Sequence, residues 1–138
     1  MTIEDYQKVY GLWAATTGIG MSSLNDSEDG IKKFLDRNPA TCFVAETEGE
    51  IAGVILSGHD GRRGYIYHAA VRDTDRGKGI GAALTQAVEK AMKDEGIHKV
   101  GLVVFAHNDK GNAFWEKRGF TTRPDLVYRN KSLNDENK

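Results

Sequence analysis

The sequence predicts a mixed α/β (α+β) domain, with helices packed against a mostly antiparallel sheet. Three observations carry this. Apolar residues recur at helical spacing near the start, then give way to strand-length segments punctuated by turn signals over about residues 41–71. A long amphipathic stretch, IGAALTQAVEKAMKDEG, follows. After it comes KVGLVVFA, a continuous apolar run of the kind expected in a strand covered on both faces. The 138 residues suit one domain with a real core, whereas two domains would each be too small.

Each element has its own local cause. Thr2 and Asp5 make a capping-box start, and Val9, Leu12 and Trp13 then mark a helix over about residues 3–16. TGIGMSSLND, with two glycines among small polar residues, reads as a loop. Ile31, Phe34 and Leu35 mark a second short helix, ended by Asn38-Pro39. TCFVAET and EIAGVILSG flank the hairpin signal Glu48-Gly49, and HDGRRG turns the chain into a third strand, GYIYHAAVR. Ile80, Ala83, Leu84, Ala87, Val88, Ala91 and Met92 line one face of a long helix that Gly96 stops. NDKGNAFWEKRG reads as a short helix, and FTTRPDLVYRNKSL as two strands turning at Pro124-Asp125. Residues 1–133 form the expected domain, and 134–138 a disordered tail.

Composition narrows the function. A formal net charge of -1, with cations spread along the chain, lacks the basic footprint of a nucleic-acid binder. The single cysteine, Cys42, excludes an internal disulfide and a cysteine-rich zinc site, and reads as a buried reduced thiol of a cytoplasmic protein. The opening MTIEDYQKVY has neither basic flank nor apolar core, so it is no signal peptide, and no run approaches the ~20 apolar residues of a membrane span. No His, Asp or Glu cluster has ligand spacing, so no metal is expected.

Chemistry concentrates at RGKGIGAAL. Three glycines at 77, 79 and 81 open a helix, although glycine costs roughly 0.5–1 kcal/mol relative to alanine inside regular structure. A helix N-terminus offers free N–H groups and the positive end of the macrodipole, glycines let a phosphate approach, and Arg76 and Lys78 add charge. A tight turn packed by glycines is the alternative. A nucleotide-binding G-x-x-x-x-G-K-[ST] fails because Gly79 follows Lys78. The dinucleotide pattern G-x-G-x-x-A matches Gly77 to Ala82, but the preceding strand belongs to an antiparallel meander and the next carries no acidic residue for a ribose.

A third pattern fits. Arg76, Gly79 and Gly81 form R-x-x-G-x-G after a strand, and this resembles the acyl-CoA-binding signature of the GNAT N-acetyltransferase superfamily. NDKGNAFWEKRGF resembles the family's second block, with Asn108, Phe114, Gly119 and Phe120 at its spacing and Gly111 in its alanine place. The resemblance is good over about Thr41 to Phe120, moderate near the start and weak in the last two strands. It implies a sheet of about six to seven strands flanked by four helices. Family chains open with a short strand, for which only Met1-Thr2 remain here.

The resemblance also implies roles. Backbone N–H groups of Gly77, Lys78, Gly79, Ile80, Gly81 and Ala82 would bind the diphosphate of acetyl-CoA, with Arg76 adding charge or shaping the loop. Ala69 and Val71 would offer main-chain bonds to the pantetheine arm where their strand splays, and the Val71 N–H would polarise the thioester carbonyl. Asn108 would bond the pantetheine, Phe114 would pack on the cofactor, and Lys117 would face its nucleotide end. Trp115 stands where the family usually has a tyrosine acid; indole donates a hydrogen bond but gives up no proton at neutral pH, so packing against the cofactor is its first expected role, ahead of hydrogen bonding. Strand alternation puts Tyr65 and Tyr67 on one face with Ala69 and Val71, either as a proton relay or acid for the leaving thiolate or as an aromatic wall of the substrate cleft. His68 then falls on the other face as a core or hydrogen-bonded histidine, His107 in a loop, and His59 in an exposed turn. Asp73, Asp75, Glu89, Lys90, Lys93 and Asp94 read as solvated surface. The expected reaction is transfer of acetyl from acetyl-CoA to a primary amine on a small molecule or peptide; a non-catalytic acyl-CoA-binding module is the rival. Homodimers are common in the family, though no apolar surface stripe here asks for one.

Overall fold

A computed structural model describes all of residues 1–138. The first expected helix is split. Thr2 and Asp5 close a capping box over a 3₁₀ turn, Ile3–Asp5, with the Thr2 N–H donating to Asp5 Oδ2 at 2.9 Å. The chain continues as α1, Tyr6–Ala15. Helix α2, Glu28–Arg37, starts where Ser27 Oγ accepts from the Gly30 N–H, and its acidic first turn and Arg37 suit the macrodipole.

Strands β1, Phe43–Thr47, and β2, Glu50–His59, are joined by Glu48-Gly49, whose φ values of 53° and 79° give the left-handed pair of a two-residue hairpin turn. A turn held by Asp60 Oδ1, which accepts from the Arg62 and Arg63 N–H groups, leads into β3, Gly64–Val71. Helix α3, Ile80–Asp94, ends before Gly96 at φ 76°. It crosses over to β4, Val100–Leu102, and α4, Asp109–Lys117, follows. The sheet order is β1-β2-β3-β4, antiparallel except for β4, which runs parallel to β3.

The sheet is covered on both faces. Val54, Leu56 and Ala70 pack with Val9 and Trp13 of α1 and Ile31 and Leu35 of α2. Ile55 and Ile66 pack on the other side with Leu84, Val88 and Met92 of α3. β2 is therefore buried from Ile51 to Gly58. Gly53 has a steric reason: a Cβ there would lie 2.9 Å from Ile80 Cγ2 and 3.1 Å from Leu84 Cδ1, so its absence seats the first turn of α3 on the sheet. No helix is long and apolar enough to cross a membrane.

The mixed α/β class and four helices hold, but three expectations do not. The sheet has four strands, not six or seven. The segment FTTRPDLVYRNKSL turns at Pro124-Asp125, where Leu126 N–H meets Arg123 O, yet forms no strand. Its apolar residues Leu126, Val127 and Tyr128 are consecutive rather than alternating, so no single face can be buried, and they are 61%, 76% and 67% exposed. The run KVGLVVFA pairs for only three residues and is not covered on both faces: β4 is the sheet edge, and Val103 and Phe105 are half-exposed. Residues 136–138 lie along the α1–α2 loop, with Asn137 Oδ1 accepting from the Leu24 and Asn25 N–H groups at 3.0 Å.

Cys42 is buried where β1 begins, its Sγ donating to Ser57 O at 3.1 Å, and burial pushes the thiol up to about 11. Native protein at pH 8 will therefore leave a disulfide thiol reagent unreacted, and denatured protein will release one equivalent. Rapid native labelling would contradict this packing.

Candidate active site

The site begins where two strands part. β3 and β4 pair over Gly64–Ile66 and Val100–Leu102 and then diverge. Arg72 N–H donates to Ala52 O at 2.7 Å, and an antiparallel ladder alternates. Ala70 therefore faces β2, while Ala69 and Val71 turn their main-chain groups toward the opened edge. Phe105, on the departing chain, is drawn to the α1–α2 loop, where a Cβ on Gly20 would sit 3.4 Å from its ring.

The expected common face of Tyr65, Tyr67, Ala69 and Val71 is corrected by a bulge. The β2–β3 register passes from Leu56↔His68 to Ser57↔Ile66, leaving Tyr67 as the extra residue. Ala69 packs with the α3 cluster, and Val71 Cγ2 approaches Gly81. Tyr67 instead meets Phe34 of α2 edge-on at 5.4 Å and Tyr65 at 4.7 Å. Tyr67 is 55% exposed. Burial, with Tyr128 and Tyr67 nearby, raises the Tyr65 phenol above its usual value, so it keeps its proton at neutral pH. His68 is hydrogen-bonded, as its position predicts: Nε2 lies 2.8 Å from Asp26 Oδ1, and the ring stands edge-on to Trp13. His107 stacks on Phe105, and His59 pairs with Glu95 at the far hairpin.

Below the splay, a 3₁₀ turn, Asp73–Asp75, leads to α3. Asp75, expected at the surface, is 3% exposed. Its Oδ2 accepts from Arg72 Nε at 2.5 Å and its Oδ1 from Lys78 Nζ at 3.2 Å. These contacts, the Arg72 bond first, hold its carboxyl below the usual range. Arg76 reaches Asp73 and donates from Nε to Val71 O at 3.4 Å, so it ties the loop to the strand end. The spacing R-D-T-D-R-G-K carries the signal: Arg72, Asp75 and Lys78 stand three apart, so one turn brings both cations onto one carboxylate.

Helices α2 and α4 have side-chain caps, Ser27 and Asn108; α3 has none. Its first intrahelical bond runs from Ala83 N–H to Gly79 O, which leaves the N–H groups of Ile80, Gly81 and Ala82 free. The three glycines serve different ends. Gly77 and Gly79 sit at φ 79° and 82° with open space where a Cβ would be, so conformation selects them. Gly81 is selected by contact, since a Cβ would lie 2.8 Å from the Phe114 ring.

Phe114 is thus wedged on the α3 N-terminus, and Arg118 stacks on it at 4.0 Å, a cation the sequence motif did not single out. Lys117 ends α4 and is exposed. Trp115 turns to the core, edge-on to Phe114 and Phe120. Asn108 Oδ1 caps α4 through the Gly111 N–H at 3.0 Å, and its Nδ2 lies where a Cβ on Gly18 would be 2.8 Å away. The structure therefore gathers Val71, Arg76, the residues 77–82 and Phe114 around one helix end. Asn108 sits beside the α1–α2 loop.

A model of the acetyltransferase (GNAT) family matches residues 7–120. The chain belongs to the GNAT acetyltransferase family. An acetyltransferase of Sodalis glossinidius (strain morsitans) is 32% identical over 130 residues, covering 94% of this chain and 90% of that protein. The fold is shared with Ard1 from Thermoplasma volcanium, at a TM-score of 0.77 and 22% identity over 88% of this chain and 79% of that one. It is shared too with the NatC complex bound to Gag peptide and CoA, at a TM-score of 0.68 and 22% identity over 83% and 76%. As a GNAT chain, the protein has its uncapped helix end and opened strand edge side by side.

Because its folded pKa is depressed, Asp75 stabilises the loop above the unfolded carboxyl value of 3.8, and that contribution is lost as pH falls through the lower folded value. A carbon-detected NMR titration will find the Asp75 carboxyl midpoint below those of exposed aspartates. In Arg72→Gln it will move up; no movement would show that Arg72 does not set it.

Proposed function

We propose that this GNAT acetyltransferase moves an acetyl group from acetyl-CoA to a primary amine by direct attack. The observation that carries the reading is the uncapped N-terminus of α3 beside the free main-chain edge of β3. Free N–H groups at Ile80, Gly81 and Ala82, with the open, left-handed Gly77 and Gly79 before them, fit a diphosphate. Acetyl-CoA, when bound, supplies an activated acyl group on a thiol leaving group.

This chain's residues then divide the work. Gly77 to Ala82 bind the diphosphate, with Arg76 fixing the loop against Val71. Ala69 and Val71 orient the pantetheine arm through their main-chain groups, and the Val71 N–H stabilises negative charge on the carbonyl oxygen. Such a donor is typically worth about 3–4 kcal/mol in other acyl-transfer sites. Asn108 keeps its Nδ2 for the pantetheine while Oδ1 caps α4. Phe114 packs on the cofactor, and Lys117 and Lys78 meet its charged end. Trp115, turned to the core, supports Phe114.

The attacking amine approaches over the α1/α2 face, where the bulge puts Tyr67. Tyr67, or Tyr65 behind it, orders a proton-carrying water or protonates the thiolate; a phenol that keeps its proton suits a donor better than a base. The acceptor is a small-molecule or peptide amine; the NatC complex, bound to Gag peptide and CoA, supports a peptide acceptor and a CoA donor.

Calorimetry with acetyl-CoA, and NAD as control, tests the donor: the expected result is micromolar binding of acetyl-CoA alone. Binding without transfer to any amine in a broad panel would favour the acyl-CoA sensor, the reading that Trp115 in the tyrosine place supports. With an amine found to accept acetyl, Tyr67→Phe is expected to lower kcat by roughly 10²-fold or more, the range for a lost general acid. Unchanged rates in both Tyr67→Phe and Tyr65→Phe would remove the tyrosines from the mechanism.

A further inference from the structure

A second opening lies at the other end of β3. It is a cleft of about 460 Å³ between the last turn of α2 and the β2–β3 hairpin. Its floor is Gly58, where a Cβ would lie 2.7 Å from the Phe34 ring and 2.6 Å from Asn38, so the strand leaves room for both. Phe34, Tyr65 and Tyr67 make one continuous aromatic wall. Arg37 and Arg63 also line the cleft, and no carboxylate lies within ion-pair distance of either. Asp60 is committed to its own turn, and His59 to Glu95. With Asp60 ionised, its carboxyl held down by the Arg63 and Arg62 N–H groups, the cleft keeps one net positive charge.

We propose that this cleft holds the acidic part of an extended peptide whose amino terminus is the acceptor, with Arg37 and Arg63 binding a carboxylate. The inference rests on the reading that acetyl transfer occurs at Val71. Tyr67 lines the cleft and is also the first β3 residue past the last pair with β4, so β3 itself runs from one opening to the other. At roughly 3.3 Å per residue, and with the bulged Tyr67 adding no length, Arg63, just before β3, lies about 23 Å from Val71. An arginine side chain reaches back over part of that, leaving a gap that about five extended residues fill and a free amino acid cannot. The exposed Val103 lies one residue past the last β3–β4 pair, as Tyr67 does on β3, and adds apolar surface there. A guanidinium–carboxylate bond supplies the selectivity, about 1.5–3 kcal/mol for hydrogen bonds to charged groups.

The test measures thiol release from acetyl-CoA with matched heptapeptides that carry Glu, Gln or Lys at positions four to six, and with free glutamate and phenylalanine. The expected kcat/KM ratio of Glu over Gln peptide is about tenfold or more, from the energy just given. Arg37→Gln and Arg63→Gln should each lower that ratio, and the double variant should bring it near one, which a merely structural role would not do. Equal or reversed preference, a preference surviving the double variant, or free amino acids serving as well as peptides would each overturn the proposal. If acetyl-CoA binds but no peptide is acetylated, NMR decides: the Glu peptide must shift the Tyr65, Tyr67 and Arg63 Nε–H signals, and its failure to do so sinks the cleft. Absence of acetyl-CoA binding would instead overturn the donor reading, with the same peptide titration still judging the cleft.

Discussion

The structure depends on one constraint: β3 and β4 share hydrogen bonds over three residues and no further. A main-chain N–H or C=O removed from water needs a partner, so an opened strand edge is a demand for one. Here the edge is held open by features on both sides. Residues 103–107 are pulled toward the α1–α2 loop, with Phe105 over Gly20 and Asn108 beside Gly18. The turn that ends this pull is fixed by bonds from the Asn108 N–H and Asn112 Nδ2 to Phe105 O. On the other side, Gly53 lets α3 seat directly on β2, which leaves its N-terminus beside the end of β3.

Charge at that helix end is arranged rather than merely accumulated. Residues 72–78 carry three cations and two carboxylates. Asp75 holds Arg72 and Lys78, while Asp73 holds Arg76, so each cation has a resting partner. Lys78 is the looser of the Asp75 pair, at 3.2 Å and 61% side-chain exposure, whereas Arg72 lies at 2.5 Å and 37%. Lys78 is therefore the cation more easily drawn away from Asp75, while Arg72 keeps the turn in shape. The left-handed glycines and these ion pairs together fix the turn's conformation in advance.

Much of this was legible in the residues. The hairpin at Glu48-Gly49, the stop at Gly96, the capping box at Thr2 and Asp5 and the glycine turn are local, and local chemistry is written in adjacent positions. The two motif blocks located the helix end and Phe114. What failed was non-local. Whether KVGLVVFA becomes a covered strand depends on a neighbour beyond β4, and the segment after Phe120 does not provide one. Asp75 was misread because burial is set by how the turn folds back, although the three-residue spacing to Arg72 and Lys78 was present. The Asp26–His68 pair joins residues 42 positions apart, and only the fold brings them within 2.8 Å.

The bulge at Tyr67 shows why a single extra residue has consequences at both ends of the site. Without it, period two would carry Tyr65 and Tyr67 to the face of Ala69 and Val71, under α3, where Leu84 and Val88 already fill the space. With it, the aromatic pair turns to the α1/α2 side and packs on Phe34, while Ala69 and Val71 keep their contact with the α3 side. The strand thereby presents two faces at once, with the free main-chain edge at Ala69 and Val71 near its C-terminal end and an aromatic path on the opposite side. A regular strand could bury either set of side chains or present either set. It could not separate them within five residues, and that separation leaves the open main-chain edge of β3 between an aromatic side and the α3 side.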